Sequence, residues 1–150
     1  MKRDIHQWIR DYGESHQNST NKKIHWICVP IIMFTLLGLL SLVKFYNINL
    51  AYGLITIALI FYLRLSIPIS IGMFLISAIQ LGIIYYIEQM LIFQNLLYLY
   101  IGVFIVAWIG QFIGHKIEGQ KPSFFEDLQF LLIGPAWLLS FIYKKIGIKY

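Results

Sequence analysis

The sequence predicts an all-α fold: a polytopic membrane helix bundle with four full spans, a kinked or re-entrant fifth segment and an N-terminal amphipathic interfacial helix. Three observations point there. Of the 150 residues, 59% are hydrophobic and only 13% are charged, too little polar material to cover a soluble domain. Several apolar runs approach or exceed the length needed to cross a bilayer. The basic residues behind the net charge of +5 gather at the ends of those runs, where headgroups and topology favour them. That distribution argues for membrane lipid and against nucleic acid as a partner. The length suits one domain over residues 1–150. The single cysteine, Cys28, excludes an internal disulfide framework and any multi-cysteine zinc or iron–sulfur site. The polar first twenty residues argue against a signal peptide.

Residues 4–16 read as the amphipathic helix, because Ile5, Trp8, Ile9 and Tyr12 recur at helical spacing while Arg10, Asp11 and Glu14 turn away. Such a helix lies at the membrane interface, and His16 extends its apolar face by one turn. After a polar linker, the first span runs from about Lys22 to Val43, with Asn21 as N-cap and His25 in the first turn. A histidine there stays neutral, since the helix dipole opposes its protonation. The second span covers about Leu50 to Ile67, the third Pro68 to Ile87 and the fourth Leu91 to Gly114. A fifth segment starts after Pro122 on a capping-box spacing at 123–126, is interrupted by Gly134-Pro135 and reaches about Tyr143. A cytoplasmic N-terminus puts Lys2, Arg3, Arg10, Lys22, Lys23, Arg64, Lys116 and Lys121 inside, as the positive-inside rule requires. A full fifth span would strand Lys144, Lys145 and Lys149 outside, hence the re-entrant expectation. The Ile-, Lys-, Asn- and Tyr-rich composition suggests a bacterial inner membrane.

An even number of crossings brings His16, His25 and His115 to one membrane face. Gln111, His115 and Glu118 share a helix face at i, i+4 and i+7. Gln111 lies in an otherwise apolar span and needs a polar partner. Gly110 and Gly114 form a small-xxx-small pair that admits another helix. A lone histidine is most often an interfacial, hydrogen-bonded residue. Three on one face suit a catalytic iron(II) or zinc with open positions, with Glu118 supplying a carboxylate or orienting a ligand. His6, off the apolar face, reads as a solvated residue. Open positions on iron(II) admit oxygen and substrate, and a zinc lipid hydrolase and a non-enzymatic membrane scaffold or transporter stay open beside that reading.

The residues also match a known pattern. Tyr12-Gly-Glu-Ser-His16-Gln-Asn18-Ser-Thr-Asn21-Lys-Lys-Ile-His25, Val29-Pro30, Trp108-Ile-Gly-Gln111-Phe112-Ile-Gly114-His115, Glu118-x3-Pro122 and Gly134-Pro135 together resemble the 2-hydroxy fatty acid dioxygenase family. The His-x8-His and Gln-Phe-x-Gly-His elements are specific in combination, and the resemblance runs from Tyr12 to about Tyr143. It implies a membrane-embedded domain that holds iron(II) and uses O2 to shorten a 2-hydroxy fatty acid by one carbon. It also implies that His16, His25 and His115 are the metal ligands, leaving open positions for a chelating 2-hydroxy acid and O2. Asn18, Asn21, Gln111 and Glu118 are then expected to support the ligands or position substrate. Lys22 or Lys23 can attract the carboxylate at the interface, although topology and headgroup contact are the stronger account of them. The acyl tail is expected between apolar helices.

Overall fold

Local side-chain caps mark where several of the helices begin. Asp4 accepts from the Gln7 amide while the Gln7 side chain bonds back to the Asp4 amide, and α1 runs Ile5–Glu14 behind this capping box. Asn18 caps α2 (Ser19–Ser41) by accepting from the Thr20 and Asn21 amides. The expected cap, Asn21, is instead the third helical residue. Glu118 explains the difference, because its carboxylate takes the Asn18 backbone amide and leaves the Asn18 side chain to cap. His25 therefore sits in the second turn, beyond the reach of the first-turn dipole argument.

The structure, a computed structural model, describes residues 3–46, 48–119, 121 and 129–150. Pro122 and the capping-box sequence at 123–126 lie outside the described residues. Beyond α2 a two-stranded antiparallel hairpin, β1 (Lys44–Phe45) with β2 (Ile48–Asn49), turns the chain into α3 (Leu50–Leu63). Ser66 then caps α4 (Ile67–Met90), which carries Pro68 in its first turn, where a missing amide costs nothing. α5 is Phe93–Glu118 and ends on Gly119 in the left-handed region, φ 75°. α6 is Phe130–Ile146.

The described helices make an all-α protein, but the span count differs from the expectation. Three helices, α2, α4 and α5, are long and apolar enough to cross a membrane. The second expected span is a helix of 14 residues, about 21 Å against a hydrocarbon core of about 30 Å. It stops because Ser66 is extended to cap the next helix, and Pro68 gives no amide to prolong the old one. The last segment is also not broken where expected. α6 continues through Gly134-Pro135, and the Tyr62 hydroxyl donates to the Leu132 carbonyl at 2.6 Å beside the proline.

The most extensive helix interface joins α2 and α5. They run antiparallel, since Asn21 meets Gly114, Cys28 meets Gly110 and Gly38 meets Tyr100. The two glycines of the small-xxx-small pair have no room for a side chain: a Cβ on Gly110 would lie 2.7 Å from the Cys28 Sγ, and one on Gly114 would strike the Asn21 Oδ1. From α4, Gln80 donates to the Pro30 carbonyl at 3.2 Å.

α1 docks on protein. Its buried face, Ile5, Trp8, Ile9 and Tyr12, packs against α6, with Trp8 edge-on to Phe130 at 5.3 Å and Tyr12 against Trp137 at 5.4 Å. Each such burial is worth about 1.5–3 kcal/mol, enough to hold a short helix that could not persist alone. Large apolar side chains cover the outside of the bundle, Ile57, Ile71, Phe74, Ile105 and Val106 among them.

Candidate metal centre

The docking of α1 sets up the site. Tyr12, fixed against α6, stacks flat on the His16 ring at 4.2 Å and 12°, and its own carbonyl lies 2.6 Å from the His16 Nδ1. His25 places its Nδ1 3.0 Å from the Asn21 carbonyl, four residues back on α2. A carbonyl only accepts, so both rings are Nδ1–H tautomers and both Nε2 atoms carry lone pairs. These two lone pairs face each other across 2.9 Å. Two acceptors that close repel unless a cation, a proton or a metal ion, serves both.

His115, near the end of α5, completes the group with its ring 4.9 Å from each of the other two. The ligand atoms of all three lie within 4.8 Å of one another. His16 and His25 are fully buried and His115 is 5% exposed. Imidazole–metal bonds of about 2.0–2.1 Å put adjacent nitrogens roughly 3 Å apart, which the His16–His25 pair already matches. Three neutral nitrogen donors without a thiol thus fit a divalent first-row metal ion.

Glu118 does not join this cluster. Its carboxylate accepts from the Gln17 amide at 2.7 Å, the Asn18 amide at 2.9 Å and the Asn21 Nδ2 at 2.9 Å. It ties the end of α5 to the loop carrying His16 and to the first turn of α2. Because the Asn21 carbonyl holds His25, a line of contacts runs from Glu118 through Asn21 to that imidazole. Asn18 is the helix cap described above. Lys22 is half-buried and near enough for its charge to act on His16, whereas Lys23 and His6 are exposed. His6 leans on the Tyr150 ring at 5.3 Å.

Beside the histidines opens a cavity of about 520 Å³ between α2, α3, α4, α5 and α6, a size typical of small-molecule sites. Tyr12, Gln111 and His115 line it on the side of the histidine cluster, Tyr62, Ser77 and Gln129 also border it, and most of its wall is apolar. The Gln111 Nε2 and the His115 Nδ1 are buried without hydrogen-bond partners. Tyr12 and Trp137 have no place among the site residues expected from sequence. Yet Tyr12 is stacked on His16, and the Trp137 ring lies 5.3 Å from it. The available signal is spacing: Tyr12 is one helical turn before His16.

With this geometry in hand, the similarities become informative. The profile of the family described as "2-hydroxy-palmitic acid dioxygenase Mpo1-like" matches residues 2–146. The chain belongs to the Mpo1-like family. It is 31% identical over 148 residues to the 2-hydroxy-palmitic acid dioxygenase MPO1 of Saccharomyces cerevisiae, an alignment covering 96% of this chain and 82% of the yeast protein. No solved structure matches. The Mpo1-like match contains every residue of the histidine cluster and of the Glu118 tether.

Protonation of this Mpo1-like site is opposed by burial. Desolvation, the largest influence, lowers the His16 pKa to about 4, although the Tyr12 carbonyl pulls the other way. Burial pushes the Tyr12 phenol up, so it remains a neutral hydroxyl. Between pH 6.5 and about 4 the unfolded chain binds a proton at His16 that the folded chain refuses. Stability is therefore expected to fall over that window as pH drops, by about 3 kcal/mol from this group. Thermal melts of metal-free protein at stepped pH check this, and His16→Gln should flatten the slope.

Proposed function

We propose that this Mpo1-like protein is a membrane-embedded, iron(II)-dependent dioxygenase that uses O2 to shorten 2-hydroxy fatty acids by one carbon. The observation that carries the proposal is the pair of opposed imidazole lone pairs, with His115 beside them, next to a mostly apolar cavity. The name of the yeast relative supports the same chemistry and substrate class.

In this proposal His16, His25 and His115 hold the ion. Iron(II) so held supplies O2 activation and Lewis acidity toward a 2-hydroxy acid. The protein's own part is positioning. The Tyr12 and Asn21 carbonyls fix the two tautomers, and Glu118 fixes Asn21. The unpartnered Gln111 amide donates to the acid's polar head, and the neutral Tyr12 hydroxyl lines the same cavity. Lys22 adds favourable charge for an incoming carboxylate. The apolar walls order the tail and keep water from the head.

Three long apolar helices and an apolar outer surface support insertion in a bilayer. The bacterial inner membrane and the cytoplasmic placement of the site rest on this chain's composition and basic loops alone, the named relative being a yeast protein.

The test is an assay on membranes carrying the protein. Supplied with a 2-hydroxy fatty acid, iron(II) and reductant, they should release the acid one carbon shorter, only when O2 is present. No such product under those conditions refutes the dioxygenase. Zinc in anaerobically purified protein, with O2-independent turnover, would point to a hydrolase instead.

A further inference from the structure

The cavity has two unlike ends, and only one has been given a role. Its lining on each helix runs from a site-proximal to a site-distal residue. On α2 it passes Val29 and Met33 to end at Leu37, and on α5 it passes Gln111 and Trp108 to end at Phe104. From His25 to Leu37 the helix advances ~18 Å, and from His115 back to Phe104 ~17 Å. Both walls thus reach a common depth. There Leu54 and Ile55 of α3 complete the lining.

That distal end is backed by packed protein. Leu37 is 2% exposed and belongs to a separate core cluster with Ala51 and Ile84, against which Leu54 and Ile55 also pack. One residue beyond Leu37, the Tyr100 ring occupies the space a side chain on Gly38 would need. The slot therefore has a floor.

The geometry points to Leu37, with Leu54 and Ile55, as the ruler that sets which acyl chain lengths the enzyme accepts. The proposal takes the head group's identity from the dioxygenase reading. A buried, unpartnered amide donor at one end and an apolar tube leading from it fit a single-chain amphiphile, with its acid head at the histidines and its methyl end on Leu37. An extended alkyl chain with C–C bonds of about 1.5 Å advances about 1.3 Å per carbon. The ~18 Å from the level of His25 to Leu37 then spans roughly fourteen carbons in all, the reacting pair included. Longer chains must displace the floor, and shorter ones leave it uncovered.

The experiment compares wild type, Leu37→Ala and Leu37→Phe as iron-loaded proteins in nanodiscs, with saturated 2-hydroxy acids of 12, 16 and 20 carbons. Leu37→Ala should raise the kcat/KM ratio of the 20- to the 12-carbon acid about tenfold, and Leu37→Phe should lower it about tenfold, the scale expected for gaining or losing methylenes in an apolar pocket. Leu54→Phe, from the facing helix, should act like Leu37→Phe and covers the case in which a Leu37 variant does not fold. Thermal protection by plain fatty acids of the same lengths reads binding without turnover. Length preferences that stay the same in all folded variants overturn the ruler and leave the dioxygenase standing. Protection that shifts with length as stated, without turnover in any form, upholds the ruler and removes the dioxygenase.

Discussion

Alanine at His25, and equally at His16 or His115, is expected to empty the site of iron and reduce turnover to background. Only three ligands converge among the described residues, and nothing nearby can replace one. Glu118 is already committed to two backbone amides and the Asn21 side chain, and Cys28 faces Gly110 on the α2–α5 interface. Removing one imidazole leaves two nitrogen donors, too few to retain iron(II) against reductant and buffer. Metal analysis of anaerobically purified variants, run beside the chain-shortening assay, checks both halves. A His115→Ala protein with full iron and normal turnover would refute the ligand set. Melting curves should show the variants folded, since the α2–α5 glycine contacts and the Trp8–Phe130 packing of α1 on α6 do not involve these rings.

Glu118→Ala should lower metal affinity by about 10–100-fold, the usual cost of removing a group that orients a ligand. It releases the Gln17 and Asn18 amides and the Asn21 amide group together. Asn21 then loses the contact that steadies the carbonyl behind His25. The decisive comparison is with excess iron(II). Turnover of Glu118→Ala should recover as iron is raised, whereas that of His115→Ala should not. A Glu118→Ala protein that no concentration of iron rescues would make the carboxylate a ligand after all.

Much of this arrangement was legible because the chemistry is sparse. Four histidines in 150 residues, three of them at segment ends, left few ways to build a site, and apolar runs bounded by caps and prolines marked the helices. What escaped notice depended on contacts distant in sequence. Asn21 reads as the cap of α2 from local sequence, whereas the cap is Asn18, whose backbone amide is held by Glu118 from about a hundred residues away. The i, i+4, i+7 face did bring Gln111, His115 and Glu118 to one side of α5, yet nothing local tells whether a carboxylate meets a metal or a loop. α3 looked longer than it is, because hydropathy continues through Leu65 and Ile67 while the backbone has already turned at Ser66. Gly134-Pro135 looked like a break. In the fold Gly134 gives Tyr12 room, a Cβ there lying 3.0 Å from its hydroxyl, and the helix goes on.

The seating of α1 on α6 has a consequence for the order in which the site can form. Two elements distant in sequence must meet before Tyr12 is fixed against Trp137, stacks on the His16 ring and turns its carbonyl to the His16 Nδ1. The tautomer that frees the His16 Nε2 is thus set by tertiary packing, and competence to bind metal is expected to follow that packing and not to precede it.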